Sequence, residues 1–215
     1  TVADEPGEEP RDVAVKTMRS ERAVRYRDWI ESRRKIVDEA TNGTVGYIYV
    51  PNTGRDGQSD LVRQFHGQAH KGALIIDERW NGGGQIPDRF IELLNRPITN
   101  FWARRDGKDW KWPPDSHTGP KAMLINGHAG SGGDMFPWLF KQNNLGPIIG
   151  TRTWGGLVEI SGNPGLIDGG YTAVPTFGFY EADGTWGIEG HGVEPDIEVV
   201  DDPALMLNGE DPQLE

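Results

Sequence analysis

The chain of 215 residues contains no cysteine and no run of about 18 apolar residues. The first absence excludes disulfide bonds and a thiolate nucleophile. The second excludes a membrane span encoded in this sequence. Only five histidines are present, and no two of them have the spacing of metal ligands. The glycines at residues 82–84 lack the Lys-Ser/Thr of a P-loop and the further glycine of a dinucleotide fingerprint, so we expect no metal and no other cofactor.

Positive charge is missing from the end of the chain, because no lysine or arginine follows Arg152. The whole chain carries 22 basic and 33 acidic residues, a formal net charge of −11. Most of the chain would therefore repel phosphate, and nucleic acid is not an expected partner. Basic residues crowd residues 11–35, which we interpret as a solvated helix face or a surface matching an acidic neighbour.

Composition divides the chain into three predicted parts. Residues 1–15, rich in Pro and Glu, are predicted to be the end of a preceding module and a linker. Residues 16–200 are predicted to form the core domain, and residues 201–215 a peripheral acidic C-terminal extension. The first residue is Thr1, which we interpret as a sign of a longer polypeptide. A cytoplasmic location is expected, with any targeting signal upstream of this chain.

Apolar runs alternate with amphipathic segments over the first 150 residues, a pattern typical of parallel βα units. The chain then turns to short β segments, so the predicted fold class is α/β with a C-terminal β-rich portion. The long segment 95–120 is rich in tryptophan and is predicted to be a functional loop. Strands are predicted at residues 44–50, 73–77, 122–126 and 147–150, helices at 19–40, 59–71, 90–94 and 135–140, and later β segments at 157–161, 171–174, 176–181 and 185–188.

A glycine-rich turn with one serine stands at the centre of this pattern. Residues 129–134 (Ala-Gly-Ser-Gly-Gly-Asp) join a predicted strand to a predicted helix. A hydroxyl at Ser131 would lie beside the unpaired amides of a helix N-terminus, which suits an oxyanion. The alternative is structural: Ser131 caps the helix, and Asp134 completes a capping box.

A second glycine turn, at residues 82–84, also follows a predicted strand. If the two strands are neighbours, both turns lie at the carboxyl edge of the sheet, where ligands bind. Two backbone amides about 3 Å from a carbonyl oxygen form an oxyanion hole. The alternative is two ordinary turns whose glycines only relieve crowding.

A nucleophilic serine needs a base. His128 lies too close to Ser131 to reach its hydroxyl, and we interpret His66, His70 and His117 as surface or packing residues. The order Ser131, Asp168, His191 matches an α/β-hydrolase triad, and His191 stays an alternative base. The nucleophile motif of that fold is broken here, since position 129 is Ala.

Four motifs in this order resemble the tricorn protease family, which belongs with the C-terminal-processing serine peptidases. Together they make the resemblance specific, and it extends from about residue 12 to the end. The motifs are residues 73–84 (Ala-Leu-Ile-Ile-Asp-Glu-Arg-Trp-Asn-Gly-Gly-Gly), 129–134, 150–156 (Gly-Thr-Arg-Thr-Trp-Gly-Gly) and 189–193 (Glu-Gly-His-Gly-Val).

This resemblance implies a C-terminal catalytic fragment with a crotonase/Clp-protease-like fold of stacked ββα units. It implies a serine peptidase that acts on oligopeptides or unfolded polypeptides with a Ser-His-Ser-Glu tetrad. The resemblance assigns Ser131 as nucleophile, Glu189 as terminal carboxylate, and the Gly84 and Gly132 amides as oxyanion hole. Substrate is expected to pair with strand 157–160, nearest Glu159 and Ile160.

The tetrad's histidine and second serine lie upstream in the family, so upstream domains of the same polypeptide are expected partners. A homo-oligomer is also implied. Without its base, the fragment is expected to keep only the oxyanion hole and substrate binding, a rate enhancement of about 10³–10⁴-fold over the reaction in water. Where the family has an acidic specificity residue this chain has Ala103, and Arg104 or Arg105 is expected to favour acidic groups. Two alternatives are a non-catalytic peptide-binding scaffold module and a crotonase-fold acyl-transfer enzyme.

Overall fold

A computed structural model describes residues 7, 9, 11–14, 16–160 and 162–215. The predicted module end at residues 1–15 therefore lies largely outside the described residues. The chain forms two compact units, residues 1–33 and 34–215. The boundary between these units falls within the first helix, and residues 201–215 belong to the second unit.

The first unit contains most of a 19-residue helix, α1, which spans Arg22–Ala40. Arg25 pairs with Glu21 at 2.6 Å, and the Arg33 guanidinium lies 5.5 Å from the centre of the Trp29 ring. This helix was predicted from residue 19, and it begins three residues later.

The second unit is built on a five-stranded parallel sheet in the order β1-β2-β5-β6-β7. A separate antiparallel pair, β3 and β4, lies within the segment that was predicted to be a loop. The helices α2, α3 and α4 occupy the connections between strands. The strands and helices of this unit have the following bounds: β1 Val45–Tyr49, α2 Arg55–Gln68, β2 Ala73–Asp77, α3 Pro87–Leu94, β3 Asn100–Trp102, β4 Trp110–Trp112, β5 Lys121–Ile125, α4 Gly132–Gln142, β6 Ile148–Gly150, β7 Ile197–Glu198 and α5 Pro203–Leu207.

The sheet strands are short apolar runs, as expected for parallel strands covered on both faces. Their buried side chains join those of α2, α3 and α4 in one hydrophobic cluster. Within it, Phe90 of α3 meets the ring of Phe136 of α4 edge-on, with centroids 5.5 Å apart. None of the described helices is both long and apolar enough to cross a membrane.

The region after β6 differs in detail from the prediction. Within described residues 157–188, the β structure consists of two antiparallel bridges, Glu159 with Phe177 and Gly165 with Tyr171. Many of these residues are exposed, so they have little buried surface to fix longer strands.

The extension at residues 201–215 was expected to be peripheral, and for part of it this is wrong. Asp211 and Gln213 are buried at 1% and 3% exposure. Gln213 donates a hydrogen bond to the carbonyl of Val199 at 2.8 Å. The segment is therefore packed against the sheet domain.

Candidate active site

The loops after four parallel strands meet at one edge of the sheet, where ligands bind in such folds. Thr53 follows β1, Gly84 follows β2, Ser131 follows β5 and Gly156 follows β6. Backbone hydrogen bonds join these loops: Thr53 N–H donates to Gly83 O at 2.9 Å, and Ser131 N–H donates to Gly156 O at 3.0 Å. Because β2 and β5 are neighbours in the sheet, the condition set by the sequence is met and the two glycine turns lie together.

Ser131 occupies a strained backbone conformation at the start of α4. Its φ of 57° and ψ of −119° are unusual for a residue with a side chain. Its carbonyl accepts from the N–H groups of Asp134 at 2.8 Å and Met135 at 3.0 Å, which begins the helix. The half-buried side chain makes no capping hydrogen bond. The interpretation that the Ser131 side chain caps the helix is therefore wrong, and the hydroxyl is left for another role.

Gly84 and Gly132 approach each other more closely than residues with side chains permit. A Cβ on Gly132 would lie 2.0 Å from Thr53 Oγ1 and 2.3 Å from Gly84 O. Gly84 itself has a φ of +148°, and a Cβ there would lie 2.2 Å from Gly54 N. Among the described residues, neither glycine's N–H donates a hydrogen bond. Two unused donors therefore flank the Ser131 corner, as an oxyanion hole requires.

Asn81 holds the two turns together from behind. Its side-chain oxygen accepts from Gly83 N–H at 2.9 Å, and its carbonyl accepts from Gly130 N–H at 3.1 Å. Asn126 does similar work, since its side-chain oxygen accepts from the N–H groups of Trp80 at 3.0 Å and His128 at 3.2 Å. Both asparagines are buried. Sequence reasoning missed them, although Asn126 directly follows β5 and Asn81 lies four residues after the end of β2.

A cavity of about 420 Å³ opens beside the serine. Its wall is mixed, with apolar side chains, one amide and one carboxylate. Such a cavity is large enough for one or two side chains of a peptide. The lining residues include Ser131, Gly132, Gly84, Gln85, Met135, Leu157, Glu159 and Phe177.

Glu189 contacts the segment that follows the Trp-Gly-Gly motif. Its Oε2 accepts from the N–H groups of Leu157 at 2.7 Å and Val158 at 2.8 Å. The carboxylate therefore positions the predicted substrate strand, a role that the sequence did not indicate.

The predicted substrate-contacting residues differ in what their main chains offer. Glu159 N–H donates to Phe177 O, and Glu159 O accepts from Thr176 N–H, both at 2.9 Å. The main chain of Glu159 is thus paired internally, while the residue lines the cavity. Ile160 is 51% exposed. Strand addition at this edge remains a prediction, with Ile160 the better placed of the two.

Asp134 is fully buried and connects α4 to the Trp-Gly-Gly motif. Its carboxylate accepts from Gly155 N–H at 2.7 Å and Gly156 N–H at 3.1 Å. Burial raises the pKa of Asp134, and these bonds together with Thr153 oppose the rise. Glu78 is also fully buried, and burial together with the charges of Asp134 and Asp77 raises its pKa well above the usual value of 4.5.

The alternative triad is not assembled. Asp168 is exposed and accepts a hydrogen bond from Gly170 N–H within its own turn. His191 is exposed, and its carbonyl accepts from Arg152. No hydrogen bond joins Asp168, His191 and Ser131 in the part of the chain that the structure describes. His117 is buried and packs by bonding Lys71 O at 3.0 Å, whereas His66 and His70 are exposed.

Two further expectations concern specificity and metals. The Arg104 guanidinium lies 5.3 Å from the centre of the Trp110 ring, so its charge is placed on the β3–β4 hairpin. Its preference for acidic groups remains a prediction. Over the described positions, no three His, Asp or Glu side chains are grouped as metal ligands would be.

A strained serine at a strand–helix corner, beside two unused amides and a cavity, is an arrangement of the serine-hydrolase type. The sequence profile of peptidase family S41 matches residues 44–199. The chain therefore belongs to peptidase family S41. This confirms the family resemblance that the four motifs indicated.

Individual relatives agree. Tricorn protease of Thermoplasma acidophilum is 38% identical over 209 residues, which cover 97% of this chain and 20% of that protein. Tricorn protease homolog 1 of Streptomyces coelicolor is 34% identical over 215 residues, 100% of this chain and 20% of the relative. This chain thus spans about a fifth of the length of the curated relatives it matches.

Solved structures confirm the α/β fold class. The crystal structure of the tricorn protease matches with a TM-score of 0.89 and 38% identity, covering 97% of this chain and 20% of that one. A peptidase structure from Parabacteroides merdae matches with a TM-score of 0.54 at 20% identity, which shows similarity of fold alone. The α/β-hydrolase alternative disagrees with the family assignment and with the site, in which the alternative triad is not assembled.

Proposed function

We propose that this chain is the nucleophile-bearing part of a serine peptidase that hydrolyses peptide bonds of oligopeptides or unfolded polypeptides. The observation that carries the proposal is the corner itself: Ser131 at a φ of 57° beside the unused N–H groups of Gly84 and Gly132. Removing one donor from such a preorganised pair lowers the rate by about 10²–10³-fold.

In the proposed reaction, Ser131 Oγ attacks the carbonyl carbon of the scissile bond and gives its proton to a histidine. The carbonyl oxygen becomes an oxyanion held by the two glycine amides. The histidine then protonates the leaving amine, and water hydrolyses the acyl-serine by the reverse proton transfers.

The histidine and a second serine are proposed to come from upstream domains of the same polypeptide. Glu189 is proposed to complete the tetrad by accepting a hydrogen bond from that serine. Its Oε2 is held by two backbone N–H groups, which fixes the carboxylate and leaves Oε1 as the proposed acceptor for that serine. The larger polypeptide is further proposed to assemble as a homo-oligomer, a property that the family resemblance implies.

Substrate is proposed to lie along residues 157–160 with one side chain in the cavity. Main-chain pairing would supply affinity, and the cavity wall would supply selectivity. Ile160 is proposed to provide the backbone contact, since the main chain of Glu159 is already paired.

Fluorophosphonate labelling with peptide mapping tests the proposal, on this chain and on the full-length polypeptide. We expect rapid labelling of Ser131 in the full-length protein, slow labelling in this chain, and none in Ser131→Ala. Equal and rapid labelling in both would place the base within this chain and make His191 the candidate. An active full-length protein that is not labelled at Ser131 would overturn the serine-peptidase proposal.

The two alternatives give different results in the same assays. A scaffold module would bind peptides without hydrolysing them, in full-length wild type as in Ser131→Ala. A crotonase-fold acyl-transfer enzyme needs the paired amides but not the serine, so Ser131→Ala would stay active.

A further inference from the structure

The C-terminal segment, residues 208–215, reaches the loop that leads to Gly84. Asp211 is buried at 1% exposure, and Arg79 is completely buried. Arg79 Nη1 donates to Asp211 Oδ1 at 2.7 Å, and Nη2 donates to Asp211 Oδ2 at 2.9 Å. This is a bidentate ion pair between residues that are 132 positions apart in the chain. It fixes the position of the guanidinium from one side.

A second carboxylate fixes the other side. Asp77, the last residue of β2, accepts from Arg79 Nε at 3.0 Å and from Nη2 at 2.7 Å. Asp77 in turn accepts from the hydroxyl of Tyr47 at 2.7 Å. The main-chain carbonyl of Arg79 accepts from the hydroxyl of Tyr49 at 3.0 Å. Arg79 is therefore held through its side chain and its backbone before the turn begins.

The residues after Arg79 connect it to both catalytic turns. Trp80 N–H donates to Asn126, which ends the strand that precedes the nucleophile turn. Asn81 bonds Gly83 through its side chain and Gly130 through its carbonyl. A shift of Arg79 would therefore be transmitted to Gly84 on one side and to Ser131 on the other.

We propose that Asp211 is a positioning residue, through which the C-terminal segment holds Arg79 and thereby sets the Gly84 amide at the oxyanion hole. The proposal rests on the proposed function, because it assigns a place in that same site. The proposed role is more specific than stabilisation of the fold, because Asp211 acts on the site through Arg79. Asp211 itself contacts neither substrate nor nucleophile. Asp211→Asn removes one charged partner of Arg79 and leaves Asp77 as another, so the stability of the variant must be measured separately.

The test compares Asp211→Asn with Glu210→Gln in the full-length polypeptide. Both variants remove one carboxylate, but Glu210 is exposed. At a temperature well below unfolding, we expect Asp211→Asn to lower kcat by about 10- to 100-fold while KM changes by less than about twofold. Amide hydrogen exchange is expected to become faster in peptides covering residues 79–84. Glu210→Gln is expected to change neither kcat nor the rate of amide hydrogen exchange.

Arg79→Lys serves as a second variant should Asp211→Asn fail to fold. Lysine keeps a positive charge near Asp77, Asp211 and Asp201, which lies 3.9 Å from Arg79 Nη1, but it loses the bidentate geometry of the guanidinium. We expect the same loss in kcat with KM preserved. A folded variant with unchanged kcat and unchanged exchange over residues 79–84 would overturn the proposal.

Failure of the proposed function gives a different result. In that case wild type neither hydrolyses peptides nor labels at Ser131, and exchange over residues 79–84 alone decides whether Asp211 holds the turn. Faster exchange in Asp211→Asn then supports the structural link, and unchanged exchange contradicts it.

Discussion

The backbone N–H of Ser131 donates a hydrogen bond to the carbonyl of Gly156 at 3.0 Å. One residue earlier, Gly130 N–H donates to Asn81 O at 3.1 Å. The turn that carries Ser131 is therefore held between the loop after β2 and the loop after β6. Such a corner is set before substrate arrives, which is the condition for an oxyanion hole to act without reorganisation.

Gly132→Ala is expected to disable the site. The added Cβ would lie 2.0 Å from Thr53 Oγ1 and 2.3 Å from Gly84 O, so one of the two amides must move. We expect kcat/KM in the full-length protein to fall by about 10²–10³-fold. Hydrolysis of a fluorogenic peptide measures this loss.

Gly67→Ala is the matched control for that substitution. Gly67 lies in α2, is exposed, and an added Cβ would have nothing within 4 Å. Alanine there is expected to leave activity unchanged and to stabilise the fold by about 0.5–1 kcal/mol. If both variants lose activity equally, close packing at Gly132 is not the cause.

Glu189→Gln and Glu189→Ala separate two roles of this residue. Gln retains an oxygen that accepts from Leu157 and Val158, whereas Ala leaves both N–H groups without it. We expect Gln to preserve substrate binding and lower kcat by about 10²-fold, since the negative charge is lost. Ala is expected to raise KM as well. Steady-state kinetics on one peptide distinguishes the two, and equal KM values in both variants would contradict the strand-holding role.

The fold was predictable where apolar pattern decides structure. The strand at residues 73–77 was predicted and lies at Ala73–Asp77, because a short apolar run between polar turns has few other solutions. The β3–β4 pair was missed. Its strands, in which Asn100 pairs with Trp112, are only three residues long and carry exposed aromatic side chains. They therefore lack the alternation of apolar and polar residues that predicts a strand.

The site was predictable only in its local parts. The two glycine turns and the corner serine stand in the sequence, but their assigned roles remain predictions. The partners that hold them come from far along the chain: Arg79 and Asp211 are 132 residues apart. Asp134 was a candidate for a capping box because its spacing from Ser131 fits one. Only the fold shows that its partners are Gly155 and Gly156.

Asp134→Ala is expected to destabilise the fold and loosen the site together. The substitution removes the carboxylate that accepts hydrogen bonds from Gly155 N–H and Gly156 N–H. The hydrogen bond from Gly155 is buried. Leaving such groups unpaired costs about 1–3 kcal/mol each. Chemical denaturation measures the loss. Asp168→Ala, at an exposed turn, is the control and is expected to stay within about 0.5 kcal/mol of wild type.

Glu78 allows a test in which the stability difference between variant and wild type depends on pH. It is fully buried, and neither carboxylate oxygen has a hydrogen-bond partner among the described residues. Burial first, and then the charges of Asp134 and Asp77, raise its pKa well above 4.5. Below pH 4.5 the carboxyl is neutral in both the folded and the unfolded protein, so its full contribution to stability is present there. That contribution is lost as pH rises through the folded-state pKa, because ionisation is easier in the unfolded chain.

Glu78→Gln removes this ionisation while keeping the shape of the side chain. We expect the variant to match wild type in stability near pH 4 and to be more stable at pH 8 by about 1–3 kcal/mol. Denaturant unfolding at both pH values measures the difference, with exposed Glu210→Gln as the control whose difference stays flat. A variant that is less stable than wild type at pH 8 would mean that the ionised carboxylate of Glu78 is stabilised in the fold.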